Sequence, residues 1–266
     1  MKKIVLLTAL FSMLYASSAY ALITMSRHNL SSTHPAGAEY GAVYTTNTTE
    51  VCVFCHTPHG GATDAPLWNR AMATAGTYTP YTSTTMDTTT GQPGGISLAC
   101  LSCHDGTIAL DALRNAPGSG GFNTTPTTQG WTFNGLPGSP GDNTMPENAG
   151  NRWITNLTQN LSDDHPISMA YPTATQDPKF NLTNGSSATA RWFEETGNTR
   201  ADDNEVKLYP TGGVFMVECA SCHNPHGTTA ALGTPAANLA PNGVDYATFL
   251  RKSNNASALC TTCHIK

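Results

Sequence analysis

Four copies of one short string constrain this chain more than anything else in it. Two cysteines two residues apart are followed at once by a histidine in Cys52-Val53-Phe54-Cys55-His56, Cys100-Leu101-Ser102-Cys103-His104, Cys219-Ala220-Ser221-Cys222-His223 and Cys260-Thr261-Thr262-Cys263-His264. Each reads as an attachment site for a c-type haem. Two thiols at this spacing reach the two vinyl groups on one edge of a porphyrin, and the next residue is carried under the ring, where its imidazole takes an axial position on the iron. Zinc is the competing reading, because two CxxC pairs make a common structural ligand set. Zinc asks for no histidine after each pair, and 9 histidines in 266 residues would seldom follow all four by chance. The four motifs use all 8 cysteines and leave none for a disulfide.

Covalent haem attachment takes place outside the cytoplasm, and the start of the chain agrees. Lys2 and Lys3 precede an apolar run from Ile4 to Tyr15, and Ala19-Tyr20-Ala21 has the small-x-small form of a cleavage site. Residues 1–21 are therefore expected to be a signal peptide, with the exported chain starting at Leu22. The apolar run is too short for a permanent membrane span, and no later stretch approaches it.

Residues 22–266 leave roughly 61 residues for each haem, well below an ordinary domain. Apolar content is 39%, and Thr, Gly, Asn, Pro and Ser abound. Such a chain builds little core of its own. The expected fold is thus mostly irregular coil with a few short α-helices, wrapped around four haems that serve as the core, and the apoprotein is expected to be largely unfolded. Net charge is −5, or about −7 once Lys2 and Lys3 are lost. No basic patch invites nucleic acid or an anionic membrane.

Few elements stand out along the chain. A helix is expected over Asp105–Leu113, where apolar residues recur at helical spacing, with others at Ala188–Thr196 and Asp245–Lys252. Residues 71–95, 115–151 and Thr199–Thr211 read as loop. Trp68, in Pro66-Leu67-Trp68-Asn69-Arg70, is an aromatic suited to lie against a haem.

The motifs repeat at a larger scale. A lone histidine, a CxxCHxPHG site and a plain CxxCH site occur in that order twice: His28, Cys52 to His59, Cys100 to His104; then His165, Cys219 to His226, Cys260 to His264. The two units cover about 22–114 and 153–266, with a loop insertion at about 115–152. Four irons have eight axial positions, of which His56, His104, His223 and His264 fill four. His28, His59, His165, His226 and His34 remain, one more than needed, and His34 reads as the surface residue. Every iron is then six-coordinate with two imidazoles, and the methionine alternatives, Met169 and Met216, are not required. His59 lies three residues from His56, a span of about 10 Å at full stretch, too short to reach the opposite face of the same haem. His59 is therefore expected to serve the haem of Cys100 and Cys103, His226 that of Cys260 and Cys263, and His28 and His165 the first and third.

The arm Ser26-Arg27-His28-Asn29-Leu30-Ser31, the stretch from Cys52 to Gly60 with Pro66 to Arg70, and Cys100 to Thr107 resemble the doubled-CxxCH multihaem c-type cytochromes of metal-reducing bacteria, among which are filament-forming outer-surface tetrahaem members. The resemblance implies four haem c groups stacked in a row, little regular secondary structure and extracellular electron conduction. It also implies a head-to-tail homopolymer in which a neighbouring subunit supplies one axial histidine, with His28 the candidate and His34 behind it. Redox partner cytochromes or extracellular electron acceptors would be the other partners.

Saturated irons can pass electrons but offer no position to a substrate, so the expected function is electron transfer without catalysis. A monomeric periplasmic electron shuttle is the second reading. A small multihaem reductase is the third; it needs an open iron position, which some such enzymes signal by a lysine in place of the motif histidine, and none of the four sites here has that change.

Overall fold

A computed structural model of the chain describes residues 21–24, 26–34, 43–63, 65–136, 142–147, 155–227 and 249–265. The expected signal peptide lies outside the described residues up to position 20, as do residues 245–248 of the expected third helix.

The expectation of irregular coil around a row of four stacked haems is corrected. The fold is mixed, with a five-stranded antiparallel sheet, three two-stranded sheets and few helices. Among the described residues no three His, Cys, Asp or Glu side chains converge as a metal site. The chain also has apolar clusters of its own: Phe54, Leu110 and Phe133; Ala73, Tyr78, Leu101 and Leu161; Ala65, Trp68 and Ala99; and Met169, Leu208 and Val217.

In chain order, a single-turn helix α1 (Ala21–Thr24) precedes strands β1 (Tyr44–Thr45) and β2 (Thr79–Pro80), helix α2 (Gly95–His104), and strands β3 (Ala112–Leu113), β4 (Thr127–Thr128), β5 (Phe133–Asn134) and β6 (Asn160–Leu161). Then come β7 (Met169–Ala170), β8 (Gly185–Ser186), β9 (Arg191–Trp192), β10 (Lys207–Thr211) and β11 (Val214–Val217), followed by helices α3 (Cys219–Cys222) and α4 (Ala258–Cys263). The main sheet has the order β7-β11-β10-β9-β8, while β1 pairs with β5, β3 with β4, and β2 with β6 in parallel.

Local chemistry explains the sheet. β10 and β11 are joined by Gly212 and Gly213, both with positive φ, the backbone a two-residue hairpin demands. Tyr209 pairs with Met216 and Thr211 with Val214. β8 and β9 meet at Gly185 opposite Trp192, where a Cβ on Gly185 would come within 2.1 Å of the indole. The expected loop at Thr199–Thr211 therefore ends in a strand, and the expected helix at Ala188–Thr196 is instead a two-residue strand, Arg191–Trp192, within loop, because pairing with β10 outweighs the weak helical spacing. The expected helix after the second motif lies instead before and through it, at Gly95–His104, and ends where Asp105 turns its side chain back to the Thr107 amide and hydroxyl. The insertion is not only surface loop: it contributes β4 and β5 and buries Phe133.

Residues 249–252 form a turn and an isolated bridge rather than a helix. That bridge reveals the two-fold repeat in three dimensions. His56 bridges Trp68, and His223 bridges Leu250. Thr57 N–H donates to the Leu67 carbonyl and Asn69 N–H to that of Cys55; Asn224 N–H donates to the Phe249 carbonyl and Arg251 N–H to that of Cys222. Leu67 and Phe249, equivalent by this register, both have positive φ, at 52° and 63°.

Candidate haem-attachment sites

Each CxxCH motif is built on a helical turn that brings its two thiols together. The first is a 3-10 turn over Cys52–Phe54 closed by the His56 N–H on the Cys52 carbonyl, and the others lie in α2, α3 and α4. All eight cysteines are free thiols. Burial, aided by Cys103, pushes Cys55 up to about 12. Burial likewise raises Cys222 to about 11 and Cys263 to about 12. Such thiols stay protonated at neutral pH and are slow nucleophiles without help.

Sites adjacent in the chain touch one another, and the third also reaches the first, where the rings of His56 and His226 lie 5.9 Å apart. Cys55 and Cys103 pack against the Phe54, Leu110 and Phe133 cluster, joining the first site to the second. The thiols of Cys100 and Cys219 hydrogen-bond, joining the second to the third, and that contact with burial holds Cys100 above the ordinary thiol range. Cys222 interacts with Cys260 and Cys263, joining the third to the fourth. Ser97 at the start of α2 reinforces the middle junction: its hydroxyl donates to the Glu218 carboxylate and accepts the Cys219 N–H at 3.0 Å. Glu218 is also held by Ser168 at 3.0 Å and Thr211 at 3.3 Å.

The histidines show how iron would be held. The rings of His28 and His104 have centroids 6.2 Å apart, and those of His56 and His226 are 5.9 Å apart. Two imidazoles on opposite sides of one metal, each bonded at about 2 Å, place their centroids roughly 6 Å apart. Ring tautomers agree. His28, His56, His104 and His165 place Nδ1 at 3.1, 2.7, 2.7 and 3.0 Å from the carbonyls of Pro225, Pro66, Thr155 and Pro166. A carbonyl only accepts, so each Nδ1 carries the proton and each Nε2 keeps its lone pair for a metal. His28 is held neutral down to about 4, by burial first and then by His104. Burial also lowers His104 and His226, and the neutral form is the ligating one.

This arrangement alters the expected assignments. His28 faces His104 at the second site, not His56 at the first. His226 faces His56 at the first site, not His264 at the fourth. His28 lies beside its own chain's His104. His59 and His165 are exposed. His34 stacks on Tyr44 at 5.5 Å. Met169 is buried in β7 against Leu208 and Val217.

Trp68, which the sequence singled out, and Arg70, Arg251 and Phe249, to which it gave no role, stand around the sites. Trp68 is buried with its ring edge-on to His56 at 6.0 Å, and its indole N–H is buried with no protein partner, a donor suited to an acceptor brought by the cofactor. Arg70 is fully buried and donates to the carbonyls of Leu110, Ser102 and Ala109 at 2.6, 3.0 and 2.9 Å, clamping the turn after α2. Arg251, its neighbour in the repeat register, donates to the Ala220 carbonyl at 2.8 Å. Phe249 stacks on His28 at 4.2 Å. The signal for the arginines was their place after a CxxCHxPHG site, Arg70 10 residues beyond Gly60 and Arg251 24 residues beyond Gly227.

The donor set therefore fits haem c: paired thiols on one turn, a following imidazole, and at two sites a second imidazole across a metal-sized gap. No family model and no curated protein matches the chain. No helix among the described residues is long and apolar enough to cross a membrane.

Proposed function

We propose that this chain is an exported electron-transfer protein that carries four covalently attached haem c groups, each iron held by two imidazoles, and that it does no catalysis of its own. The observation that carries the reading is the pair of imidazole couples, His28 with His104 and His56 with His226, spaced for one metal, with Nδ1 of His28, His56 and His104 held by backbone carbonyls. Bound haem supplies a one-electron couple at each site. The chain's residues attach it through Cys52 and Cys55, Cys100 and Cys103, Cys219 and Cys222, and Cys260 and Cys263, fill the axial positions and fix the ring orientations. His59 and His165 are the remaining donors for the third and fourth sites.

The contacts between successive sites support a path for electrons through the chain, and head-to-tail association of copies into an extracellular filament would prolong it. The acidic chain would hand electrons to partner cytochromes or extracellular acceptors. The second reading, a monomeric periplasmic shuttle, shares the same sites and differs only in assembly.

Expression with a c-type maturation system tests the proposal. Mass spectrometry should find four haem additions, and the oxidised protein should give only low-spin EPR signals. A chain that matures with fewer than four haems, or gives a high-spin signal from an open iron, overturns it in favour of a different cofactor set or a reductase. Negative-stain microscopy separates filament from shuttle.

A further inference from the structure

The N-terminal arm meets the second repeat unit through a hydrogen bond and a ring stack. His28 Nδ1 lies 3.1 Å from the carbonyl of Pro225, and the next residue, His226, carries the ring that faces His56. Two contacts hold the His28 ring: Phe249 stacks on one face at 4.2 Å and 10°, and Pro225 accepts the Nδ1 proton; the His104 ring lies 6.2 Å away. The Pro225 loop is pinned in turn, since Gly227 N–H donates to the Asn224 carbonyl at 2.9 Å, His226 N–H to the Asn224 side chain at 3.1 Å, and Asn224 N–H to Phe249. Phe249 thus supports both the His28 ring and the loop that presents His226.

We propose that His28 and His226 form one hydrogen-bonded ligand unit bridging the first and second sites, in which His28, besides facing the second site, is the positioning residue for His226 at the first. The inference rests on the haem reading above and adds to it a coupling that two independent sites would not have. The hydrogen bond sets the orientation and basicity of the His28 ring, and by holding the Pro225 carbonyl it fixes the backbone from which the His226 ring projects; both tune the metal. The bridge also gives a bonded route between the sites: one imidazole, one peptide unit, one hydrogen bond and the other imidazole.

The test uses the full haem-loaded chain and His28→Met, which offers an axial sulfur but no Nδ1 proton. Low-spin EPR signals are assigned with two further chains, one with Cys52 and Cys55 and one with Cys100 and Cys103 changed to Ala. The expected result is that His28→Met changes two signals: the second site's becomes that of a His/Met iron, and the first site's g values and reduction potential shift while it keeps two imidazoles. If only the second site's signal changes, the bridge is overturned and the ligand assignment stands. If the second site's signal does not change, the assignment of His28 beneath it fails as well. The native protein gives a measurement that needs no variant. NMR should show a hyperfine-shifted imidazole N–H that exchanges slowly with solvent, and exchange as fast as that of an exposed imidazole overturns the bridge.

Discussion

A histidine becomes a metal ligand when its other nitrogen is spoken for, and here backbone carbonyls do that at four rings. The pairing of His226 with His56 gives a direct prediction. His226→Met should convert the first site, and leave the fourth unchanged, in visible and EPR spectra of the loaded protein; a change at the fourth site instead would restore the assignment drawn from sequence alone. Arg70 acts at the same scale. Its guanidinium replaces water for three carbonyls in a fully buried position, and hydrogen bonds from charged donors are the stronger kind. Arg70→Ala should cost on the order of 3 kcal/mol or more, read as a lower denaturant midpoint, with the second site's signal broadened because α2 and the turn after it lose their clamp.

Among the elements, the main sheet and α2 are tied together through Glu218. This residue follows β11, precedes Cys219, and is met by hydroxyls from α2, β10 and the strand region of Ser168. Burial raises its carboxyl above the ordinary range, and the hydroxyl donors only partly offset that. A carboxyl whose folded pKa is raised binds its proton more tightly in the folded chain. Its stabilising contribution is present at low pH and is lost as pH rises through the folded value. The protein should therefore lose stability on going from mildly acidic to neutral pH, and Glu218→Gln should flatten that slope in thermal melts; an identical slope in the variant would assign it to other groups. In the β8–β9 hairpin, Gly185→Val should destabilise by about 1–3 kcal/mol because its side chain meets the Trp192 indole, and a thermal melt within error of the parent would mean that the indole can move.

For the molecule as a whole, the two repeat units are not separate beads. The arm of the first reaches the third motif's loop through His28 and Pro225, and the third motif's loop reaches the first motif through His226. The fourth site, by contrast, sits on α4 and is tied to the sheet by Asn181 and Tyr171, with Asn181 N–H on the Cys263 carbonyl at 2.8 Å and its side chain on Thr261. Changing Cys260 and Cys263 to Ser should yield protein with three haems by mass and unaltered first- and second-site spectra, since residues 28, 56, 104 and 226 all lie outside α4. Loss of the first two signals in that chain would show that the four sites fold as one unit.

The string of residues by itself determined the four CxxCH positions, the histidine inventory and the two-fold repeat, all read from short, fixed spacings of the kind a thioether-linked cofactor would need. It also carried the Gly212-Gly213 hairpin, a signal hidden by the charge and proline beside it. Which imidazole meets which was left to the tertiary structure. His28 and Pro225 are 197 residues apart, and no local spacing rule acts over such a distance. Packing of Phe249 and the pinned 224–227 loop decided it, just as pairing with β10 decided that residues 191–192 would be strand. Low apolar content suggested a chain with no core, yet a few well-placed side chains such as Phe54, Leu101 and Leu208 close small clusters between the sites, since burial depends on where apolar groups converge and not on how many the chain contains.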